Sequence, residues 1–407
     1  MTLSFFDTPR RTALGWCLLL VLGWLPGRAW AQGEGDERPV RFNGMEFRSA
    51  DSLFYINFRF RMQNRVGLVT RGGDNLRVAN YDARVRRLRL RADGYALGER
   101  IGYSLQLAFA RGDQDFENTG VANIVRDAVI FYNVTPNFYL AFGLNKLPGN
   151  RQRVTSSGQL QFAERSIVNS ALNIDRDFGL KAYYTHQLGA NALCLLKGAI
   201  TTGEGRSANG TDAGLAYTGR VELLPLGAFQ DGGDYSEGDL AREPTPKLAV
   251  AGGYSFNRRT TRSGGQLGPD LYGPVDLGTL IVDGVFKHRG WAYLVEYLDR
   301  RSPQPLTYDG GGELRYAYVG RGLNQQLSYL LPSNLEPALR YSWLQPRRSL
   351  RGLERQQEVL EVGLTQYLRK HRVKAQLNAS YQVQQGRWQL GSPGNRWGGV
   401  FQFELGI

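Results

Sequence analysis

The 407-residue chain has little cysteine and little histidine: Cys17 and Cys194 are its only cysteines, and it has three histidines. Residues 1–31 read as a cleaved export signal, which leaves Cys194 alone and excludes a fold held by intrachain disulfides. After residue 31 there is no apolar run of about eighteen residues, which excludes a bundle of membrane-crossing helices. A membrane β-barrel stays open, because its strands need only about ten residues of alternating pattern. His186, His288 and His371 are scattered near expected strand ends or turns and have no serine or carboxylate partner at recognisable spacing. Neither a metal centre, nor a cofactor site, nor a catalytic triad is expected from them. No Pro/Ser-rich linker breaks the remaining chain, so it reads as one large domain.

Arg10 and Arg11 precede an apolar run over 13–26, and Ala29-Trp30-Ala31 follows as a small-x-small tripeptide. This is the layout of a secretory signal cut before Gln32. Cys17 lies inside the apolar run behind Trp16, where a lipoprotein signal needs a small residue, so lipidation is disfavoured. The full chain carries a net charge of +13, and removing three arginines and one aspartate with residues 1–31 leaves +11. A basic chain invites a nucleic-acid reading, since Lys and Arg neutralise phosphates. Export from the cytoplasm argues against it. The expected organisation is a signal peptide over 1–31, an N-terminal periplasmic segment over 32–50 and a barrel over 51–407.

Over 53–65 the residues alternate. Phe54, Ile56, Phe58, Phe60 and Met62 share one face; Arg59, Arg61, Gln63 and Arg65 share the other. Period two means strand. In a membrane barrel the apolar face meets lipid and the polar face lines water. The pattern recurs over 373–381, with Lys374 among the polar set, and over 339–343, where Leu339, Tyr341 and Trp343 oppose Arg340 and Ser342.

Short turns fit near 96–100, 135–137, 188–191, 288–290, 332–336 and 369–371. Longer polar segments fit at 70–80, 148–175, 202–214, 258–275, 301–312 and 385–395. Short connections on one side and long ones on the other describe an outer-membrane barrel, here of about sixteen antiparallel strands. One connection breaks the rule. Residues 226–246 fall where a short turn belongs and carry Asp231, Asp234, Glu237 and Asp239; their spacing matches no EF-hand, and a solvated glycine-rich excursion is favoured over a calcium site. The chain ends with Phe401, Phe403, Leu405 and Ile407 on one face, as suits a last strand that closes the barrel and removes the sheet edge.

Four stretches resemble the phosphate-selective porin O and P family: Tyr81-Asp-Ala-Arg-Val-Arg-Arg-Leu-Arg-Leu-Arg-Ala-Asp-Gly94, Arg126-Asp-Ala-Val-Ile-Phe-Tyr-Asn-Val-Thr-Pro-Asn137, Gly143-Leu-Asn-Lys-Leu-Pro148 with Glu164-Arg-Ser-Ile-Val-Asn169, and Arg242-Glu-Pro-Thr-Pro-Lys-Leu248. The resemblance implies a homotrimer of sixteen-stranded barrels whose long third loop folds into the pore, with anions passing along a ladder of arginines. On this chain the inward loop would be 148–175, with a short helix over 164–172 and Lys146, Arg151, Arg153 and Arg165 facing the pore. The ladder would come from Arg59, Arg61 and Arg65 on one strand and Arg87, Arg89 and Arg91 on the next, with Arg340 and Lys374 on other lumen walls.

No acidic residue shares the water-facing parity over 53–65 or 87–91, and fixed guanidiniums attract anions and exclude cations. Arg84 and Arg86 fall on the opposite parity from Arg87, so a bulge or an interfacial position is required there. The function expected is passive diffusion of small anions, phosphate among them, by a non-enzymatic protein embedded in outer-membrane lipid and lipopolysaccharide. Two alternatives stay open. The arginines can neutralise carboxylates such as Glu222 and Asp283 and only stiffen a general or structural barrel, or the loops can serve as a docking surface.

Overall fold

The computed structural model describes residues 40–43, 45–113, 123–206 and 214–407; the export signal expected over 1–31 and residues 32–39 lie outside them. Alternation of the kind seen over 53–65 produces sixteen antiparallel strands. The first eight are β1 (Phe54–Thr70), β2 (Val78–Ala96), β3 (Ile101–Ala108), β4 (Val125–Thr135), β5 (Phe138–Lys146), β6 (Arg176–Leu188), β7 (Ala192–Thr201) and β8 (Ala216–Leu224). The rest are β9 (Lys247–Arg262), β10 (Asp270–His288), β11 (Trp291–Arg301), β12 (Gly320–Tyr329), β13 (Leu335–Pro346), β14 (Gln357–Arg369), β15 (Val373–Gln384) and β16 (Arg396–Gly406). Each pairs with its sequence neighbours, and β16 pairs back onto β1, with Phe401 opposite Val66 and Leu405 opposite Met62. The sheet is thus a closed sixteen-stranded barrel, with no free edge among these strands. The segment Glu46–Ser49 adds a short pairing at the foot of β1, Glu46 lying opposite Asn57.

Burial is inverted relative to a water-soluble protein. Phe142 and Ile130 are both 56% exposed on the outside, whereas Glu222, Glu296 and Gln63 are fully buried inside. Hydrocarbon accepts the first set, and the lumen supplies partners for the second. Aromatic pairs sit at both ends of the wall: Trp291 and Tyr329, ring centroids 4.8 Å apart, and at the other end Trp397 over the buried Tyr381, 4.6 Å apart. Such rings mark the two membrane interfaces.

The turns at 97–100, 136–137, 189–191, 289–290, 330–334 and 370–372 lie at one end, and the long loops at the other. The loop expected over 258–275 is shorter than the sequence suggests. Strands β9 and β10 continue to Arg262 and from Asp270, with Thr260 opposite Val275. They rise beyond the bilayer because Leu271, Val275 and Leu277 pack on Ala317, Val319 and Leu350 of neighbouring loops.

Loop 147–175 folds inward, as expected, but its helices are shorter than the one anticipated over 164–172. They are α1 (Arg151–Val154) and α2 (Ile167–Leu172), the latter capped by the Ser166 hydroxyl accepting from the Asn169 N–H at 3.1 Å. Val168 and Leu172 of α2 are buried against Ile281, Leu298 and Leu344 on β10, β11 and β13. This apolar patch on an otherwise polar inner wall decides where the loop lies.

Candidate functional site

In register, Arg59 faces Arg91, Arg61 faces Arg89 and Gln63 faces Arg87; beyond them Asn64 faces Val85 and Arg65 faces Arg84. Arg86 is therefore the extra residue of a β-bulge, which shifts parity by one and turns Arg84 as well as Arg87 toward the lumen. The bulge inferred from the sequence is present.

The ladder is not a wall of free charge. Asp93, further along β2, forms ion pairs with Arg59 and with Arg91, the latter at 2.7 Å. Arg61 lies 3.4 Å from Glu404, and Arg89 grips Asp113 through two bonds of 2.7 Å. Glu164 of the inward loop takes Arg65 at 2.5 Å, Arg87 at 3.1 Å, and Arg86. Burial pushes the Glu164 carboxyl up, but Arg87, Arg86 and Arg65 outweigh it and hold it well below the usual carboxylate range. The expectation of an unopposed cationic face was drawn from two strands in isolation; the counter-charges arrive from loops, from β16 and from Asp93 further along β2.

Three of the expected lumen cations do not face water. Arg151 is 1% exposed, held by Asp283 at 3.0 Å and Glu222 at 3.4 Å. Arg340 bonds Glu361 at 2.5 Å and the Glu164 carbonyl at 2.9 Å. Lys374 donates to the Leu160 carbonyl at 2.6 Å. The inward loop fills their half of the lumen, so they anchor it there.

The open half has two adjoining cavities. A lower one of about 590 Å³ opens between Phe60, His371, Arg372 and the loop, and is lined by Arg59, Arg61, Arg91, Lys146 and Arg176 among others. An upper one of about 640 Å³ lies beneath the loops carrying Arg111, Arg206 and Leu267. Both are lined by Arg89, Arg126, Arg153 and Arg165, so the two cavities meet at a strait ringed by four guanidiniums. Arg126 shares Asp113 with Arg89, at 3.2 Å. Arg153 donates to Asp175 at 2.8 Å, and Arg176 to Asp127 at 2.9 and 3.1 Å. Four guanidiniums therefore share three carboxylates.

Arg165 differs from the others. It donates only to carbonyls, of Gln152 at 2.7 Å and Thr155 at 2.8 Å, and among the described residues it has no carboxylate partner. Burial, then the charges of Arg153, Arg87 and Arg89, hold it well below the usual guanidinium range. Lys146 is similar, with its ammonium on the carbonyl of Val154 at 2.5 Å. Sequence reasoning missed Arg126 and Arg176. Each is followed by an aspartate, Asp127 and Asp177, so simple alternation cannot put both neighbours on the lumen wall.

A closed sixteen-stranded barrel, apolar outside and with charged cavities inside, is the architecture of an outer-membrane porin. Residues 56–242 match the family model of the phosphate-selective porins O and P. No curated protein matches the sequence. Solved structures similar in fold include the outer-membrane channel DcaP of Acinetobacter baumannii, with 12% identity, 88% of this chain and 99% of that one covered, and a TM-score of 0.52. Salmonella typhi OmpF in complex with daunomycin gives 12% identity, 89% and 100% coverage and a TM-score of 0.51. OprB of Pseudomonas putida gives 8%, 86% and 94%, and 0.50. At these identities the likeness is one of fold.

Proposed function

We propose that the protein conducts small anions passively across the outer membrane, through the strait of Arg89, Arg126, Arg153 and Arg165. The observation that supports this most directly is Arg165, a half-buried guanidinium between the two cavities whose acceptors among the described residues are carbonyls alone. A passing carboxylate or phosphate offers it the counter-charge the protein withholds, and its planar fork suits either. Flanking guanidiniums already shared with Asp113 and Asp175 make moderate sites, from which an ion can leave as well as enter. The test is the zero-current potential under a potassium chloride gradient, followed by phosphate titration of the chloride current. An anionic sign with phosphate block supports an anion pore with a phosphate-type site, whereas an anionic sign without block leaves a general anion pore.

A second reading, a porin of little selectivity, is favoured by the pairing of Arg59, Arg61, Arg65, Arg87, Arg89 and Arg91 with carboxylates. It predicts a potential near zero in the same experiment.

The proposed assembly is a homotrimer. The family resemblance supports it, as does the eight-residue β3, which falls short of the about 9–11 residues that a bilayer calls for. The proposed lipid partner is lipopolysaccharide. On the outer wall at the loop end, Asp299 pairs with Arg301 at 2.8 Å and with Arg347. Arg321 lies opposite Asp299 in the ladder, its guanidinium 5.4 Å over the Trp343 ring. Two guanidiniums on one carboxylate, with a third on Gln345 at 3.1 Å beside an interfacial tryptophan, suit phosphorylated headgroups.

A further inference from the structure

Connection 225–246 lies at the short-turn end, yet it does not extend into solvent as its glycines and acids suggested. Glu237, Asp239 and Glu243 are each no more than 2% exposed. The segment climbs into the barrel beneath the inward loop. At its foot, Asp239 accepts from the Gly290 N–H at 2.7 Å, and Arg242 caps the carbonyls of Leu330 and Leu331 at 2.7 and 2.6 Å. Lys287 on β10 donates to the Ser236 carbonyl at 2.9 Å. Gly238 is required rather than flexible filler: its φ is +74°, and a Cβ there would lie 2.7 Å from the Glu336 carboxylate.

At the top, the segment meets the loop directly. The Glu237 carboxylate accepts from the Gln152 side chain at 3.0 Å, the Gln161 N–H at 2.8 Å and the Gln326 side chain at 3.1 Å. Its own N–H donates to the Gln159 carbonyl at 2.9 Å. The Asp234 carbonyl accepts from Arg151 at 2.8 Å, whose guanidinium lies 4.8 Å over the Tyr235 ring. Lys197 on β7 bonds the Tyr235 hydroxyl at 2.9 Å. Gln152, which Glu237 holds, also accepts Arg165 at its carbonyl and supports Ser166 at the start of α2.

We propose that the connection 225–246 is a clamp inserted from the periplasmic side, which fixes the height of loop 147–175 in the lumen and so sets the channel's size limit, with Glu237 as its positioning residue. The proposal rests on that loop forming the strait and is independent of which ions the strait prefers. Glu237 is reached by four separate hydrogen bonds to three positions of the loop and one of the wall. Removing its carboxylate leaves the buried donors of Gln152 and the Gln161 N–H without an acceptor and leaves Gln326 only its bond to the Gln161 side chain, so the loop's floor loosens while the barrel strands, whose ladders do not involve it, stay paired.

The experiment measures single-channel conductance, and the largest polyethylene glycol that still lowers it, for wild-type, Glu237→Ala, Glu237→Gln and Tyr235→Phe proteins in planar bilayers. Glu237→Ala is expected to raise conductance about twofold and to admit a larger polymer, because a strait's cross-section controls flux. Glu237→Gln is expected near wild type, since its amide can still accept from Gln161 and donate to the Gln326 oxygen, which has no hydrogen-bond partner among the described residues. Tyr235→Phe is expected to give a smaller rise, and it decides the matter if Glu237→Ala does not fold. Unchanged conductance and polymer limit in the folded variants overturn the clamp. The zero-current potential is read from the same recordings, so a cation-preferring channel that still widens in Glu237→Ala contradicts the anion reading and leaves the clamp standing.

Discussion

Replacing Arg165 by glutamine removes the one strait guanidinium that lacks a carboxylate partner and keeps a side chain able to reach the carbonyls of Gln152 and Thr155. A unit charge about 4 Å from the path of a permeating ion contributes about 1 kcal/mol at the dielectric of water, and more where the walls exclude it. Removal raises the chloride barrier by about that amount and lowers the potassium barrier equally, each roughly a fivefold change in rate. The anion-to-cation permeability ratio is therefore expected to fall by about twenty-five-fold. The assay is the zero-current potential under a potassium chloride gradient, repeated at high salt, where screening over about 3 Å at 1 M shrinks the difference. Arg301→Gln on the outer wall is the control and leaves the potential unchanged. A wild-type potential in folded Arg165→Gln protein refutes the reasoning, because the net charge of the strait would then not govern selectivity.

Further expectations follow from the same geometry. Protonating the strait carboxylates would strengthen anion preference, yet ion pairing holds Asp113, Glu164 and Asp175 well below the usual carboxylate range. Selectivity should stay flat as pH falls from 7 past 4.5, the ordinary glutamate value, and a rise in anion preference near pH 4 would contradict those pairings. Gly94→Ala places a Cβ 1.9 Å from the Tyr55 carbonyl oxygen, so the mutant should fail to give the compact, heat-modifiable band of a folded barrel on unheated gels; a normal band contradicts the packing of β1 on β2. Substituting Arg301, Arg321 and Arg347 together by glutamine should reduce co-purifying lipopolysaccharide without changing conductance, and wild-type retention would remove that patch as the lipid contact.

Period two and the alternation of short and long connections made the barrel legible before any coordinates. The last strand ends where closure on β1 requires, and the parity conflict between Arg86 and Arg87 pointed to a real bulge. Strand parity, however, states which wall a side chain faces and says nothing of what crosses the lumen. Glu164 and Asp113 lie in connections without periodicity, so their pairing with the arginines of β1 and β2 could not be read from the strands. Arg340 and Lys374 have the right parity, yet the loop covers them. The segment 225–246 shows the same limit most clearly. Glycines and acids in a connection suggest solvent, but here Gly238 permits close approach and the acids meet buried donors. Arg126 and Arg176 escaped notice because their aspartate neighbours break the alternation on which the reading relied.

The central claim is that the strait selects for anions, and the zero-current potential of the purified, folded protein in a planar bilayer under a potassium chloride gradient tests it most directly. The account predicts the sign of chloride permeation, reduced in Arg165→Gln. A potential of the opposite sign, showing potassium as the preferred ion, would contradict it.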